Sequence, residues 1–357
     1  GTQDFLPGAE VVRRNVRRTL EDVFILYGCK PLETPILNYS ELLASKYAGG
    51  AEILEEMYTL KDRGDRDLAL RYDLTIPFAK VVAMNPTLRM PFKRYEIGKV
   101  FRDGPIKTGR FREFTQCDVD IVGVKSQVAE AELMMMALDA FNKLGLKVKI
   151  YYNNRNLLVG MLEIFETPIE KINRVILILD KLEKVGIDAV VKELEEQQLS
   201  SPTVDAINKF LGDKNMLTYA YFEKYAEANV LVKQGLAELK EFESYLVSLG
   251  INEDCVFDPF LARGLEIYTG TIYEIFLADK SIKSSIGSGG RYDNAIGGLI
   301  GSVEKFSTVG ISFGLDVIYT AMQASNCDSI ADTSELDYYI IPLDTMKESL
   351  LVASSLR

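Results

Sequence analysis

The sequence predicts an α+β fold: an antiparallel sheet flanked by helices, interrupted by an all-helical insert and followed by the start of a further α/β unit. Three observations lead there. Short strand-like runs with hairpin signals dominate residues 55–125. From 165 to 250 the composition shifts to Lys, Glu, Leu and Ile at helical spacing. Strand and glycine signals then return over 256–315.

Taken in order, residues 10–27 predict an amphipathic helix. Val12, Val16, Leu20, Val23, Phe24 and Tyr27 fall at three- and four-residue steps, and Gly28 stops it. Two prolines make Cys29–Leu37 an extended, edge-like segment. Strand-like runs follow at Met57–Leu60, Leu68–Arg71, Phe92–Phe101 and Phe111–Val122. The Gly and Pro residues of 103–109 suit a hairpin loop between the last two. A helix is expected from Gln127 to Leu144 and a strand at Lys147–Tyr152. After the helical stretch, a polar linker at Ser325–Glu335 precedes a strand-like run, Asp337–Leu343, and a helix over Thr345–Arg357. One strand and one helix bury no core of their own, so this tail reads either as the opening of a further domain or as packing on the body. Because the chain opens on Gly1, a few native residues are expected before it.

The 357 residues suit roughly two to three domains. No run approaches the ~18 apolar residues of a membrane span, and no basic-then-apolar leader opens the chain. Four cysteines lie far apart without a CxxC pair, so a reduced, cytoplasmic setting is expected. There is no histidine at all. That excludes Ser-His-Asp and Cys-His nucleophilic catalysis, HExxH metal chemistry and any imidazole base. Chemistry here must run on carboxylates, guanidinium groups, hydroxyls or bound ions. A net charge of −11 also excludes generic polyanion binding, so nucleic acid must meet a local basic surface.

Such a surface is present. Lys93, Arg94, Lys99, Arg102, Lys107, Arg110 and Arg112 outweigh Glu96 and Asp103 within one predicted hairpin. Arg102, Arg110 and Arg112 bracket its loop, and the planar guanidinium fork suits phosphate. A solvated charged hairpin accounts for the same residues. Immediately afterwards, strict alternation puts Phe114, Gln116, Asp118 and Asp120 on one face. Phe114 there can stack on a planar base, while Gln116 and Asp120 can hold a cationic or amide-bearing ligand. A solvent-facing strand with one stray Phe fits equally. Three glycines within Ser284–Asp293 mark either close backbone approach to a ligand or a sharp bend. Neither GxGxxG nor GxxxxGK[ST] spacing occurs in that segment.

Together these segments resemble the class II aminoacyl-tRNA synthetase core, and specifically the histidyl-tRNA synthetase family, over nearly the whole chain. The matching stretches are Gly1-Thr-Gln-Asp-Phe-Leu-Pro7, Leu70-Arg-Tyr-Asp-Leu-Thr-Ile-Pro-Phe78, Phe101–Pro105 with Arg110–Phe114, Ala262-Arg-Gly-Leu-Glu-Ile-Tyr-Thr-Gly270 and Ser288-Gly-Gly-Arg-Tyr-Asp293. Gly28–Pro35 is similar to the first class II motif, which builds a dimer interface.

The resemblance implies that Asp73, Thr75 and Gln116 hold the α-amino group of histidine, with Asp120 and Tyr268 reading its imidazole. Tyr292 and Arg263 complete the histidine set. Arg102 would bind the α-phosphate of ATP, with Arg263 across from it as the second catalytic arginine. Arg110 and Arg112 would take the outer phosphates, and Phe114 would stack on adenine. The family's third motif ends in a Glu-Arg pair, for which this chain has Asp316 and Val317. Ile267 likewise replaces an aromatic residue usually paired with Tyr268.

What the resemblance implies is ATP-dependent ligation of histidine to its tRNA through histidyl-adenylate, with Mg2+ assisting and metal ligands unassigned. A homodimer without membrane association is expected. Residues 1–165 and 251–324 would form the catalytic core, 166–250 a helical insertion, 325–336 a linker, and 337–357 the start of a truncated anticodon-binding domain. The alternative is a non-catalytic, histidine-sensing paralogue, the regulatory subunit of ATP phosphoribosyltransferase.

Overall fold

The computed structural model describes residues 1–44, 54–106, 111–213, 217–262, 267–324 and 337–357. Its strands are β1 (Lys30–Pro31), β2 (Leu37–Tyr39), β3 (Thr59–Lys61), β4 (Asp67–Leu70), β5 (Phe92–Phe101), β6 (Glu113–Val122), β7 (Val148–Asn154), β8 (Cys255–Phe257), β9 (Thr271–Leu277), β10 (Gly287–Arg291) and β11 (Thr308–Gly314). Among the described residues, eight form one sheet in the order β1-β5-β6-β11-β10-β9-β7-β8. Its edge pairs β1/β5 and β7/β8 are parallel and the interior pairs antiparallel. A small second sheet has the order β2-β4-β3.

Alternation decides which face of the large sheet is dry. Tyr95, Val119, Ile121, Val309, Ile311, Tyr273 and Ile275 point to one side and join the main core. Three longer helices cover that side, with the shorter Leu315–Ala324 adding Leu315, Ile318, Ala321 and Met322 to the same core. In the first, Pro7–Leu26, the predicted stripe Val12, Val16, Leu20, Val23 and Phe24 is buried. It begins at Pro7, earlier than predicted, because proline at the first turn needs no N–H partner and its φ is already helical. The second, Val128–Lys143, is buried along most of its length. The third, Val230–Leu249, buries Val232, Leu236, Leu239, Phe242 and Leu246 in the same core.

Between β7 and that third helix the described elements are all helical: Arg155–Ile164, Ile169–Leu179, Leu182–Val185, Ile187–Glu195, Ser201–Gly212 and Tyr219–Glu223. Ile172, Val175, Ile176, Ile178, Val190, Leu194 and Ile207 make a separate apolar cluster there, with Leu158 and Leu162.

One expectation fails. Asp337–Leu343 reads as a strand in sequence but forms none, whereas Met346–Leu356 is helical as expected. A strand needs a neighbour for its backbone groups, and neither sheet reaches this segment. Tyr339 and Leu343 are each 80% exposed.

Candidate active site on the polar face of the sheet

The opposite face of the sheet is polar at its centre. On β5 and β6, Arg94 stands opposite Asp120, Glu96 opposite Asp118, and Gly98 opposite Gln116. Across the next ladder, Gly310, Ser312 and Gly314 of β11 stand opposite Asp120, Asp118 and Gln116. The alternation predicted for 114–120 therefore lays one amide and two acids across the middle of the sheet.

Buried arginines fix this floor. Arg94 is fully buried, stacked 4.4 Å over the Phe78 ring, and donates to the Leu74 carbonyl at 3.1 Å. Its Nη2 lies 2.7 Å from Asp120 Oδ2, and Nη1 lies 3.5 Å from Glu96 Oε2. Arg71 pairs with the other Glu96 oxygen at 2.9 Å and donates to the Thr34 carbonyl at 2.6 Å. The Thr34 hydroxyl and N–H donate to that same Glu96 oxygen. Such pairs hold their geometry because breaking one leaves a charge buried and alone.

Around this floor the structure gathers most of the residues assigned to histidine. Asp73 and Thr75 lie at the start of the Thr75–Met84 helix, where Asp73 accepts the Ile76 N–H at 3.2 Å. Burial pushes Asp73 up to about 6, against the pull of that N–H, Arg102 and Arg94. The Tyr292 hydroxyl donates to Asp120 Oδ1 in a short hydrogen bond. Burial raises the Asp120 pKa, while Arg94 and Tyr292 act to lower it. A Cβ on Gly290 would sit 2.8 Å from the Tyr268 ring, so glycine there makes room for that ring above the sheet. Gln116 Nε2 donates to Ser312 Oγ at 2.9 Å.

Of the residues assigned to ATP, the structure describes Arg102, Arg112 and Phe114. Arg102 donates from Nε to the Tyr72 carbonyl at 3.0 Å and places its guanidinium 5.4 Å from the Phe114 ring centroid. Arg112 is exposed and pairs with Asp103 at 3.2 Å. Arg110 and Arg263 lie outside the described residues. Val317 packs on the main core, its Cγ2 3.4 Å from a Cβ built on Gly314. Asp316, beside it, accepts the Thr115 N–H at 2.7 Å and pairs with Arg13 at 2.6 Å. The Arg13 guanidinium lies 3.7 Å over Phe5.

Sequence reasoning gave no role to Arg71 or Ser312, put Asp118 on the polar face without a task, and counted Arg94 and Glu96 in a basic surface, whereas both are buried. For Arg94 and Glu96 the signal was present, since Tyr95 and Ile97 alternate with them and face the core. Nothing in the sequence marks Ser312 apart from its register with Asp118. Among the described residues no group of three or more Asp, Glu or Cys side chains is arranged to hold a metal ion. No helix among them is long and apolar enough to cross a membrane.

The family model described as Histidyl-tRNA synthetase matches residues 1–318. Histidine--tRNA ligase 2 of Shouchella clausii is 58% identical over 357 residues, all of this chain and 84% of the relative. Histidine--tRNA ligase 1 of Bacillus cereus is 59% identical over the same span and 83% of its own length. Among solved structures, histidyl-tRNA synthetase from Nostoc sp. PCC 7120 superimposes with a TM-score of 0.82 at 29% identity, covering 99% of this chain and 82% of that one. With most of the residues assigned to histidine on one polar face and such relatives along its whole length, the chain belongs to the histidyl-tRNA synthetase family.

Proposed function

We propose that this chain ligates histidine to its tRNA at the expense of ATP. The observation that carries the reading is the 58–59% identity, over the full chain, to two histidine--tRNA ligases. In the first step a histidine carboxylate oxygen attacks the α-phosphorus of ATP and pyrophosphate leaves, giving histidyl-adenylate. In the second, a terminal ribose hydroxyl of the tRNA takes the acyl group and AMP leaves. No imidazole base is required, which suits a chain without histidine.

Asp73, Thr75 and Gln116 take the α-amino group, while Asp120, Tyr268 and Tyr292 face the imidazole. Phe114 stacks on adenine, and Arg112, with Arg110, takes the outer phosphates. Arg102 and Arg263 carry the α-phosphate, where charge builds during attack. Fixed guanidinium groups act there without reorganising, so positioning and charge neutralisation supply most of the rate. Mg2+, when bound, would neutralise phosphate charge alongside Arg102, Arg110 and Arg112.

Exposed Ile25, Leu26, Leu37 and Tyr39, in or near the motif assigned to dimerisation, support a homodimer. Buried free Cys29, Cys117 and Cys255 suit a reducing cytoplasm. Residues 166–250 serve as a helical insertion and 337–357 as the opening of an anticodon-binding domain.

Histidine-dependent exchange of labelled pyrophosphate into ATP tests the first step. A synthetase exchanges; a histidine-sensing regulatory subunit binds histidine and shows no exchange at any ATP concentration.

A further inference from the structure

Among the described residues, no arginine forms an ion pair with Asp118 on the polar face. Arg71 pairs with Glu96, and Arg94 pairs with Asp120 and approaches Glu96. Asp118 is buried between them, 3% exposed, and its Oδ1 has no hydrogen-bond partner. Two residues away on the same face, Gln116 gives its Nε2 to Ser312, which leaves Gln116 Oε1 buried and equally without a partner. The Ser312 hydroxyl also hydrogen-bonds Asp118. The floor thus presents two neighbouring buried oxygens, one from an acid and one from an amide, that no described residue hydrogen-bonds. Buried polar groups are otherwise almost always paired, so this gap marks the place of a ligand carrying N–H donors and positive charge.

We infer that Asp118 is a further binding residue for the amino acid's α-ammonium group, which completes the charge balance of the pocket floor and bonds Asp118 Oδ1 and Gln116 Oε1 together. This deepens the histidine-ligating reading and rests on it. Ser312 is the positioning residue of the pair: by accepting from Gln116 Nε2 it turns the amide oxygen toward the ligand.

A proton consequence follows. Burial pushes Asp118 up to about 8, helped by the neighbouring charges of Asp120 and Asp73 and opposed by Arg94 and Ser312. The groups around it are Arg94 and Glu96 on β5, Gln116 and Asp120 on its own strand, Ser312 on β11 and Asp73 before the Thr75–Met84 helix. Burial thus favours the protonated acid in the empty site. An arriving ammonium favours the carboxylate and drives a proton from Asp118 into solvent, up to about one per site. Histidine itself changes charge little between pH 7 and 8, so the linkage reports on the protein.

The experiment is calorimetric titration of the whole chain at pH 7 in buffers of differing ionisation enthalpy. Three probes are used: L-histidine, L-histidinol (which keeps the ammonium but lacks the carboxylate) and 3-(imidazol-4-yl)propanoate (which lacks the ammonium). The wild type is expected to release close to one proton with histidine and with histidinol, and much less with the propanoate. Asp118→Asn keeps the shape and mimics the protonated acid, so it folds. It should abolish that release and weaken histidine and histidinol roughly ten- to a hundredfold, while leaving the propanoate within about twofold. Ser312→Ala should weaken histidine and histidinol less, and leave proton release in place. Unchanged proton release in Asp118→Asn, or equal weakening of all three probes, overturns the assignment. Failure of the wild type to bind histidine at all overturns the histidine-ligating reading itself, and is recognised before any variant is made.

Discussion

Gly310 faces Asp120 so closely that a Cβ built on it would lie 1.9 Å from Asp120 Oδ1. That oxygen is the one receiving the Tyr292 hydroxyl, and the other oxygen holds Arg94. The absence of a side chain at 310 is therefore what lets the carboxylate lie flat across the neighbouring strand, between its two partners. Gly290, opposite Gly310 in the β10/β11 ladder, leaves the same kind of space for the Tyr268 ring.

Gly310→Ala should accordingly act on the site more than on the fold. The methyl group has to displace the Asp120 carboxylate, at a cost of about 1–3 kcal/mol of stability as overpacking. Histidine affinity should fall at least about tenfold, through loss of the Asp120 and Tyr292 geometry. Calorimetry with L-histidine, paired with thermal unfolding, checks it. Unchanged affinity would show that Asp120 need not lie where it does.

Arg94 and Asp120 form a buried pair in which each partner is costly to remove alone. Arg94→Met leaves Asp120 without its cation, while Glu96 keeps Arg71, and should cost about 3–5 kcal/mol in denaturant unfolding. Adding Asp120→Asn to Arg94→Met should restore part of that loss. A double-mutant cycle with no coupling would mean the pair is held by its surroundings and not by charge.

Much of this arrangement was legible in the sequence, and the reasons for the rest are physical. The β5/β6 hairpin announced itself through strict alternation broken by Gly and Pro, and the Pro7–Leu26 helix through its apolar stripe. Residues 338–343 carry the same apolar signal as a strand, but pairing is a property of neighbours and not of the segment. Arg94 is the instructive miss. As one of seven basic residues in a hairpin it reads as part of a surface, and only the register with Asp120 and the contact with Phe78 make it a buried cation. Asp118 was placed on the right face by alternation. That Arg71 and Arg94 pair with its neighbours while it stays without a cation depends on which acid each guanidinium reaches, and spacing does not encode that.

Stability should fall as pH rises, because Asp73, Asp118 and Asp120 hold their protons more tightly in the folded chain. Asp73 is raised to about 6 and Asp118 to about 8 from an ordinary value of 3.8. For each, the contribution is fully present below the ordinary carboxylate range and is lost as pH climbs through the folded value. Melting temperature without ligand should therefore decline between pH 6 and 8, and Asp118→Asn should flatten that decline. A flat wild-type profile over this window would rule out the raised value for Asp118.

The exposed apolar residues around the end of the first helix call for a partner. Ile25, Leu26, Leu37 and Tyr39 lie close together in sequence and are exposed in the single chain. A two-fold interface covering them should exceed roughly 2,000 Å² in total. Sedimentation at micromolar concentration should give twice the 40.0 kDa chain mass. Leu26→Glu should shift the population toward monomer, and a monomeric wild type would end the proposal.

Arg102 and Val317 separate two different losses at the nucleotide side of the site. Arg102 is braced by the Tyr72 carbonyl and lies over Phe114, where the α-phosphate of ATP is placed by the proposed function. Charge grows on that phosphate only as histidine attacks, so Arg102 stabilises the transition state more than either bound substrate. Arg102→Ala should lower histidine-dependent pyrophosphate exchange by about 10²–10³-fold while moving histidine affinity by less than about threefold. Val317 stands where the family places an arginine that closes over adenine, and here that position packs on the core beside Gly314. A missing cation over a base is worth about 1–2 kcal/mol, which is roughly a tenfold weaker apparent affinity for ATP. Val317→Arg should therefore improve the apparent ATP affinity toward tenfold without changing the rate at saturating ATP. If Arg102→Ala leaves exchange intact, the α-phosphate does not sit between Tyr72 and Phe114; if Val317→Arg weakens ATP binding, the core contact of Val317 matters more than the cation it replaced.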